Sequence, residues 1–170
     1  LEAYSSNNFH PYSQGIALEG IKMIKDNLIL AYKDGKNLKA RANMLATSSM
    51  GSIAFQKGLG AIHSLSHPIG AIYNTHHGLT NAVFMPYVLI RNKEAIENKI
   101  NELSRYLDIS NPSFDSFLEW ILELRKTLNI PHTLKELIDD DSNFEKMSGM
   151  AFNDPSTASN PISLSKKDFL

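Results

Sequence analysis

Four of the six histidines fall within fifteen positions, in the stretch Gly60-Ala-Ile-His63-Ser-Leu-Ser-His67-Pro-Ile-Gly70-Ala-Ile-Tyr-Asn-Thr-His76-His77-Gly78. Imidazole is the commonest transition-metal ligand and the side chain that titrates nearest neutrality, so this stretch is the first candidate for chemistry. His63 and His67 are four residues apart and on a helix share one face, one turn apart. Such a pair can offer two nitrogens to one ion. Ser-Leu-Ser stands between them, with no glutamate to serve as the general base of a zinc protease. His77 lies ten residues further on, past Pro68 and Gly70, where a turn could swing it back to the same point. His76 adjoins it, and adjacent side chains diverge, so at most one of the two is expected to share an ion with His63.

On pattern alone, a histidine pair at this spacing is more often structural than ligating. The third histidine, followed by Gly78, strengthens the ligand reading. No further ligand stands out within the cluster. Glu2, Glu19 and Asp154 qualify by chemistry, and the pattern selects none of them.

The elements that must position these residues read as helices. Ile16, Ile21, Ile24, Leu28, Ala31 and Tyr32 share a face of a helix from Tyr12 to Tyr32, closed by Asp34-Gly35. Leu38 to about Lys57 is rich in Ala, Ser and Gly. Small side chains allow close approach, so this helix is expected to be central. His63 to Ile72 reads as a short helix that Pro68 bends or ends. A helix from Gly78 through Asn92 carries Pro86, which argues against a buried strand. Ile96, Ile100, Leu103 and Leu107 mark a separate, exposed amphipathic helix. Phe114 to Leu128 gives another, after Asn111-Pro-Ser. Pro131-His-Thr133 caps a short helix through Ile138, and Asn143 to Phe152 forms one more. Asn153 to Pro161 is a loop of turn residues. The fold class is therefore an all-α helical bundle in a single domain, residues 1–170.

Composition narrows the classes. Seventeen basic and eighteen acidic residues give a net charge of −1 without a dense basic patch, so nucleic acid is not an expected partner. The chain has no cysteine, which removes disulfides, thiolate metal sites and cysteine nucleophiles and leans toward a cytoplasmic protein. The longest apolar run, Ala82 to Ile90, is too short for a bilayer, and no cleavable signal opens the chain. Leu1-Glu-Ala-Tyr4 reads as the last turn of a helix, and Ser165 to Leu170 as the start of one. The expectation is a piece of a longer polypeptide, cut at both ends.

Gly58-Leu-Gly-Ala-Ile-His63-Ser-Leu-Ser-His67-Pro-Ile-Gly70, with Tyr73-Asn-Thr-His-His77-Gly78-Leu-Thr-Asn81-Ala-Val-Phe-Met-Pro86, closely resembles the iron-containing (group III) alcohol dehydrogenases. Glu2-Ala-Tyr4, Ala54-Phe-Gln-Lys-Gly58 and Asp154-Pro-Ser-Thr-Ala-Ser-Asn160-Pro extend the likeness over essentially the whole chain. The resemblance implies the C-terminal helical metal and substrate domain of a two-domain enzyme, of the dehydroquinate-synthase-like type. The N-terminal domain of such enzymes binds NAD or NADP through a glycine-rich turn, which this sequence lacks, so no cofactor-binding residue is expected here.

Further implications concern the site. The metal is Fe(II) or Zn(II), held by an aspartate and a histidine upstream of the Glu-Ala-Tyr element and by two later histidines, which fall on His63 and His77. His67 matches a histidine beside nicotinamide and substrate that is not a ligand, and is the expected catalytic residue. Ser156 lies on a loop lining the cleft and would face substrate. The implied reaction is hydride transfer between a small alcohol or aldehyde and NAD(P). The fragment alone, with half the metal shell, is expected to be inactive. Apolar surface left uncovered favours self-association, a homodimer being the simplest form.

Three rival readings stand beside this one. A hydroxyacid–oxoacid transhydrogenase or a maleylacetate reductase would belong to the same superfamily. A helical interaction module would make the histidines structural. A metallohydrolase would want a general base near the ion, and the pattern places none.

Overall fold

The computed structural model describes residues 1–170, all of them helix, turn or loop with no strand. Seven α-helices follow in order: α1 (Glu2–Ser5), α2 (Pro11–Lys33), α3 (Leu38–Ala54), α4 (Ala61–Tyr73), α5 (His77–Tyr106), α6 (Phe114–Thr127) and α7 (Phe144–Phe152). Short 3₁₀ turns occupy Phe55–Lys57, Leu134–Glu136, Pro155–Ser159 and Lys166–Phe169. No helix is long and apolar enough to cross a membrane.

Local chemistry starts the helices where it should. The His10 ring accepts the Ser13 N–H ahead of Pro11, the Asn37 side chain accepts Ala40 N–H, and Ser113 accepts Ser116 N–H. Thr133 with Glu136, and Ser165 with Asp168, form capping boxes.

Three sequence expectations need correction. The segments expected as two helices, Gly78 to Asn92 and the Ile96 face, are one continuous helix of 30 residues, about 45 Å long. Asn92 does not break it, because its side chain is buried and exchanges two hydrogen bonds with Asn160. Ile96, Ile100, Leu103 and Leu107 are not an exposed amphipathic face. They are almost wholly buried and form the main core with Phe114, Phe117 and Ile121 of α6 and with Tyr4, Ala17 and Ile21. Their Lys and Glu neighbours occupy the opposite, solvated side of α5.

The second correction concerns α3, which is peripheral. Only Ala40, Thr47 and Ala54 are buried, a narrow stripe seven residues apart that faces α2. Its small side chains do permit close approach: a Cβ on Gly20 of α2 would lie 3.8 Å from the Met50 Cβ. Most of its other faces have no neighbouring helix, so Ala42, Ala46, Ser48, Ser49 and Ser52 are exposed. Small size gives proximity to one neighbour and does not by itself create others.

Third, Pro68 does not end α4. The helix runs on to Tyr73 and stops at Asn74, whose left-handed backbone (φ 52°) closes it. Pro68 is buried in the helix interior and leaves the Ser64 carbonyl without its usual partner four residues on.

Two lysines, Lys57 buried and Lys99 half-buried, hold the N-terminal turn in place. The Lys57 ammonium donates to the carbonyls of Tyr4 (3.2 Å) and Ser6, and Lys99 donates to those of Ser5 and Ser6. Burial, and then the nearby Lys99 charge, lower the Lys57 pKa to about 8. These contacts pin α1, and with it Glu2, against the turn that leads into α4.

That turn depends on Gly58, whose φ of 104° disfavours any side chain and whose added Cβ would sit 2.6 Å from Ser159. Gly58→Ala is expected to destabilise the fold by about 1–3 kcal/mol, measured as a lower urea midpoint with unchanged slope. An unchanged midpoint would contradict the strain argument.

Candidate metal centre

The site is built where α4 begins and where α5 begins. Gly60, the residue ahead of α4, has no side chain with which to cap the helix. Two distant side chains do so instead. Asn160 Oδ1 accepts the Ala61 N–H (3.2 Å), and Glu2 Oε1 accepts the Ile62 N–H (2.7 Å). A carboxylate is favoured there by the positive end of the helix dipole. Gly60 is needed for room, since a Cβ would lie 2.8 Å from Glu2 Oε1 and 3.0 Å from Asn160 Oδ1.

The second Glu2 oxygen, Oε2, lies 2.5 Å from His63 Nδ1. Held this way, His63 carries its proton on Nδ1 and presents an Nε2 lone pair. That Nε2 faces the Asn81 side-chain amide at 3.4 Å, and His77 Nε2 faces the same nitrogen at 3.1 Å. His77 Nδ1 lies 3.4 Å from Ser66 Oγ. The Ser66 hydroxyl already donates to the His63 carbonyl, so it accepts from His77 Nδ1–H. Both imidazoles therefore turn an unprotonated Nε2 toward one point. Asn81 Oδ1 is buried there without a partner, a polar group that the chain itself leaves unsatisfied.

Partial desolvation among the clustered rings, then the neighbouring His63, His67 and His76, push His77 below the usual histidine range, which favours its neutral form at pH 7. A neutral imidazole is the form that binds metal. Two such nitrogens suit iron(II), zinc and similar ions, so the donor set fits the expected metal. Two nitrogens do not make a complete shell, and no group of three or more His, Cys, Asp or Glu is arranged to hold an ion.

His67 joins the cluster without facing that point in the same way. Its ring stacks on His77, with centroids 5.5 Å apart and an interplanar angle of 11°, and its Nδ1 lies 2.8 Å from Asp154 Oδ2. His63, His67 and His77 are thus brought together, all three centroid separations lying between 5.3 and 5.8 Å. His76 is not part of the cluster. It is the residue ahead of α5, and its Nδ1 accepts the Leu79 N–H.

The three carboxylates considered as further ligands are each engaged elsewhere in this structure. Both Glu2 oxygens are engaged by Ile62 and His63, and both Asp154 oxygens by Ser156 and His67. Glu19 accepts from the Tyr106 hydroxyl, at the opposite end of α5 from His77. Ser156 is buried behind Asp154, to which its N–H donates at 2.8 Å. Asn81 and Ser66 escaped the sequence reading. Asn81 could have been found, since it follows His77 by four residues on one helix.

A profile described as Fe-containing alcohol dehydrogenase family, C-terminal, matches residues 1–170. The chain belongs to this family. Alcohol dehydrogenase 4 of Saccharomyces cerevisiae is 33% identical over 170 residues, covering 98% of this chain and 44% of that protein. The 4-hydroxybutyrate dehydrogenase of Cupriavidus necator is 32% identical over 178 residues, 99% of this chain and 46% of its own length. Among solved structures, a 1,3-propanediol oxidoreductase superposes with a TM-score of 0.92 at 30% identity, over 99% of this chain and 46% of that one. The chain thus spans about half the length of these relatives, and its helical fold is that of their C-terminal half. The resemblance read from the Gly58 to Pro86 motif holds over the whole chain.

Proposed function

We propose that this chain is the metal- and alcohol-binding half of an NAD(P)-dependent alcohol dehydrogenase, with His63 and His77 as metal ligands and His67 as the proton carrier. The observation that carries the reading is the convergence of two unprotonated Nε2 atoms, from two different helices, on the Asn81 amide. Their Nδ1 atoms are held by Glu2 and Ser66, which fixes the ligating tautomer before any ion arrives. The relatives, an alcohol dehydrogenase, a 4-hydroxybutyrate dehydrogenase and a 1,3-propanediol oxidoreductase, support a small alcohol or the corresponding aldehyde as substrate.

When bound, Fe(II) or Zn(II) supplies Lewis acidity toward an alcohol oxygen, and the nicotinamide supplies the hydride acceptor. The residues of this chain do the rest. Alcohol oxidation releases a proton from oxygen and a hydride from carbon. His67 is half exposed beside the two ligands, and its Nε2 makes no hydrogen bond within the chain, so it is free to take that proton. Phe55 packs edge-on against His63, with ring centroids 5.8 Å apart, and gives the cleft an apolar wall. The remaining metal donors and the nucleotide site are assigned to the rest of the enzyme, beyond these residues.

The test is metal dependence. In the intact enzyme, chelation is expected to abolish NAD(P)-dependent oxidation of a primary alcohol, and Fe(II) or Zn(II) to restore it. The 170-residue chain alone is expected to bind these ions weakly and to show no turnover. Full activity of the metal-stripped enzyme, or tight stoichiometric metal with turnover in the isolated chain, would reject the reading.

A further inference from the structure

Two carboxylates stand behind two histidines of α4. Glu2 backs His63, as described above. The second pair, Asp154 and His67, has no part in holding an ion, so its purpose is separate. Asp154 lies 87 positions from His67 and contacts Nδ1 through Oδ2, while its Oδ1 accepts the Ser156 N–H. Its side chain is far less exposed than that of His67, 13% against 42%.

The loop that carries Asp154 is anchored at several points. The Thr157 hydroxyl donates to the Ala151 carbonyl and lies against the Ser64 hydroxyl, at 2.8 Å each, fastening the loop to α7 and α4. Asn160 exchanges hydrogen bonds with Asn92 of α5 and accepts from Ala61 at the head of α4. Asp154 is therefore placed by three helices and is not free to follow the ring.

We infer that Asp154 is a positioning residue for His67: it holds the proton on Nδ1 and so turns an Nε2 lone pair toward the cleft. The inference builds on the reading of His67 as proton carrier. A histidine whose Nδ1 is free can place its proton on Nε2 instead, and an Nε2–H cannot accept the proton of an alcohol. Burial works to raise the Asp154 carboxyl, but the bonds from His67 and Ser156 outweigh it and hold the group below the usual carboxylate range. It is thus an acceptor throughout the neutral range.

Asp154→Asn separates this role from a structural one. The asparagine oxygen can keep the Ser156 N–H, which leaves its NH₂ facing His67 Nδ1 and demands the opposite tautomer. The same exchange in the serine-protease triad preserves geometry and imposes the wrong tautomer. With ¹⁵N-labelled histidine, His67 of the wild-type chain is expected to show a protonated Nδ1 and a bare Nε2, and the variant the reverse. His10 and His132 lie outside the cluster and report whether the fold is intact. Asp154→Ala, which leaves Nδ1 without a partner, is expected to give a mixture.

In the intact enzyme, Asp154→Asn is expected to lower kcat by about 100-fold with KM little changed. Unchanged His67 ring signals in both variants would overturn the inference, whatever the kinetics. If His67→Ala left activity intact, the proton-carrier role would fail while the tautomer result still decided whether Asp154 orients the ring.

Discussion

His77→Ala is expected to weaken metal binding severely. His77 Nε2 and His63 Nε2 share one focus at the Asn81 amide, so the substitution leaves a single imidazole there. Losing a mere supporting partner of a ligand typically costs ~10–100-fold in affinity, and loss of a donor atom should exceed that. Competition against a coloured chelator in the intact enzyme reads the affinity, and alcohol oxidation should fall in parallel. His76→Ala is the matched control. It removes the adjacent imidazole, which only caps α5, and should cost about 1 kcal/mol of stability with metal affinity kept. Equal losses of affinity in the two variants would remove His77 from the centre.

Phe117→Ala is the expected extreme for stability. Phe117 is 1% exposed and packs on Trp120 within the cluster that joins α5 to α6. Truncating a buried Phe leaves a cavity and costs about 3–5 kcal/mol. For a chain of this length that corresponds to a fall in Tm on the order of 10 °C. The loss should be seen in both urea and thermal unfolding. A cost below about 1 kcal/mol, within the range of ordinary surface changes, would mean that the α5–α6 core is not what holds the fold together.

The two expectations differ in what they disturb. His77 heads α5 and is exposed, so its loss should leave the helices in place. Phe117 belongs to the main core, yet α5 carries both the core residues Ile96, Ile100 and Leu103 and, near its start, His77 and Asn81. Loosening the core at one end of that helix is therefore felt as lower stability first and as lower activity only near the unfolding transition.

The amino-acid sequence by itself determined the helical class, several caps and many helix limits, because these follow from residues within a few positions of each other. Ser113 starting α6 and the Thr133–Glu136 box are of this kind. The spacing of His63 and His67 was equally local, and so was the long motif that marks the family. Only the tertiary structure decided what each polar group does. By chemistry alone Glu2 and Asp154 have several possible partners; in the fold each backs a histidine, from 61 and 87 positions away respectively. The helix expected to stop at Asn92 runs on, with Asn92 buried and paired to Asn160, 68 positions away. The small residues of α3 suggested a central helix, and only the packing showed that a single neighbour lies against it. The physical reason is common to all of these. Helical periodicity is a property of neighbours along the chain, whereas a side chain's partner is set by which helices come to lie side by side, and one residue's chemistry is compatible with several partners until that packing selects one.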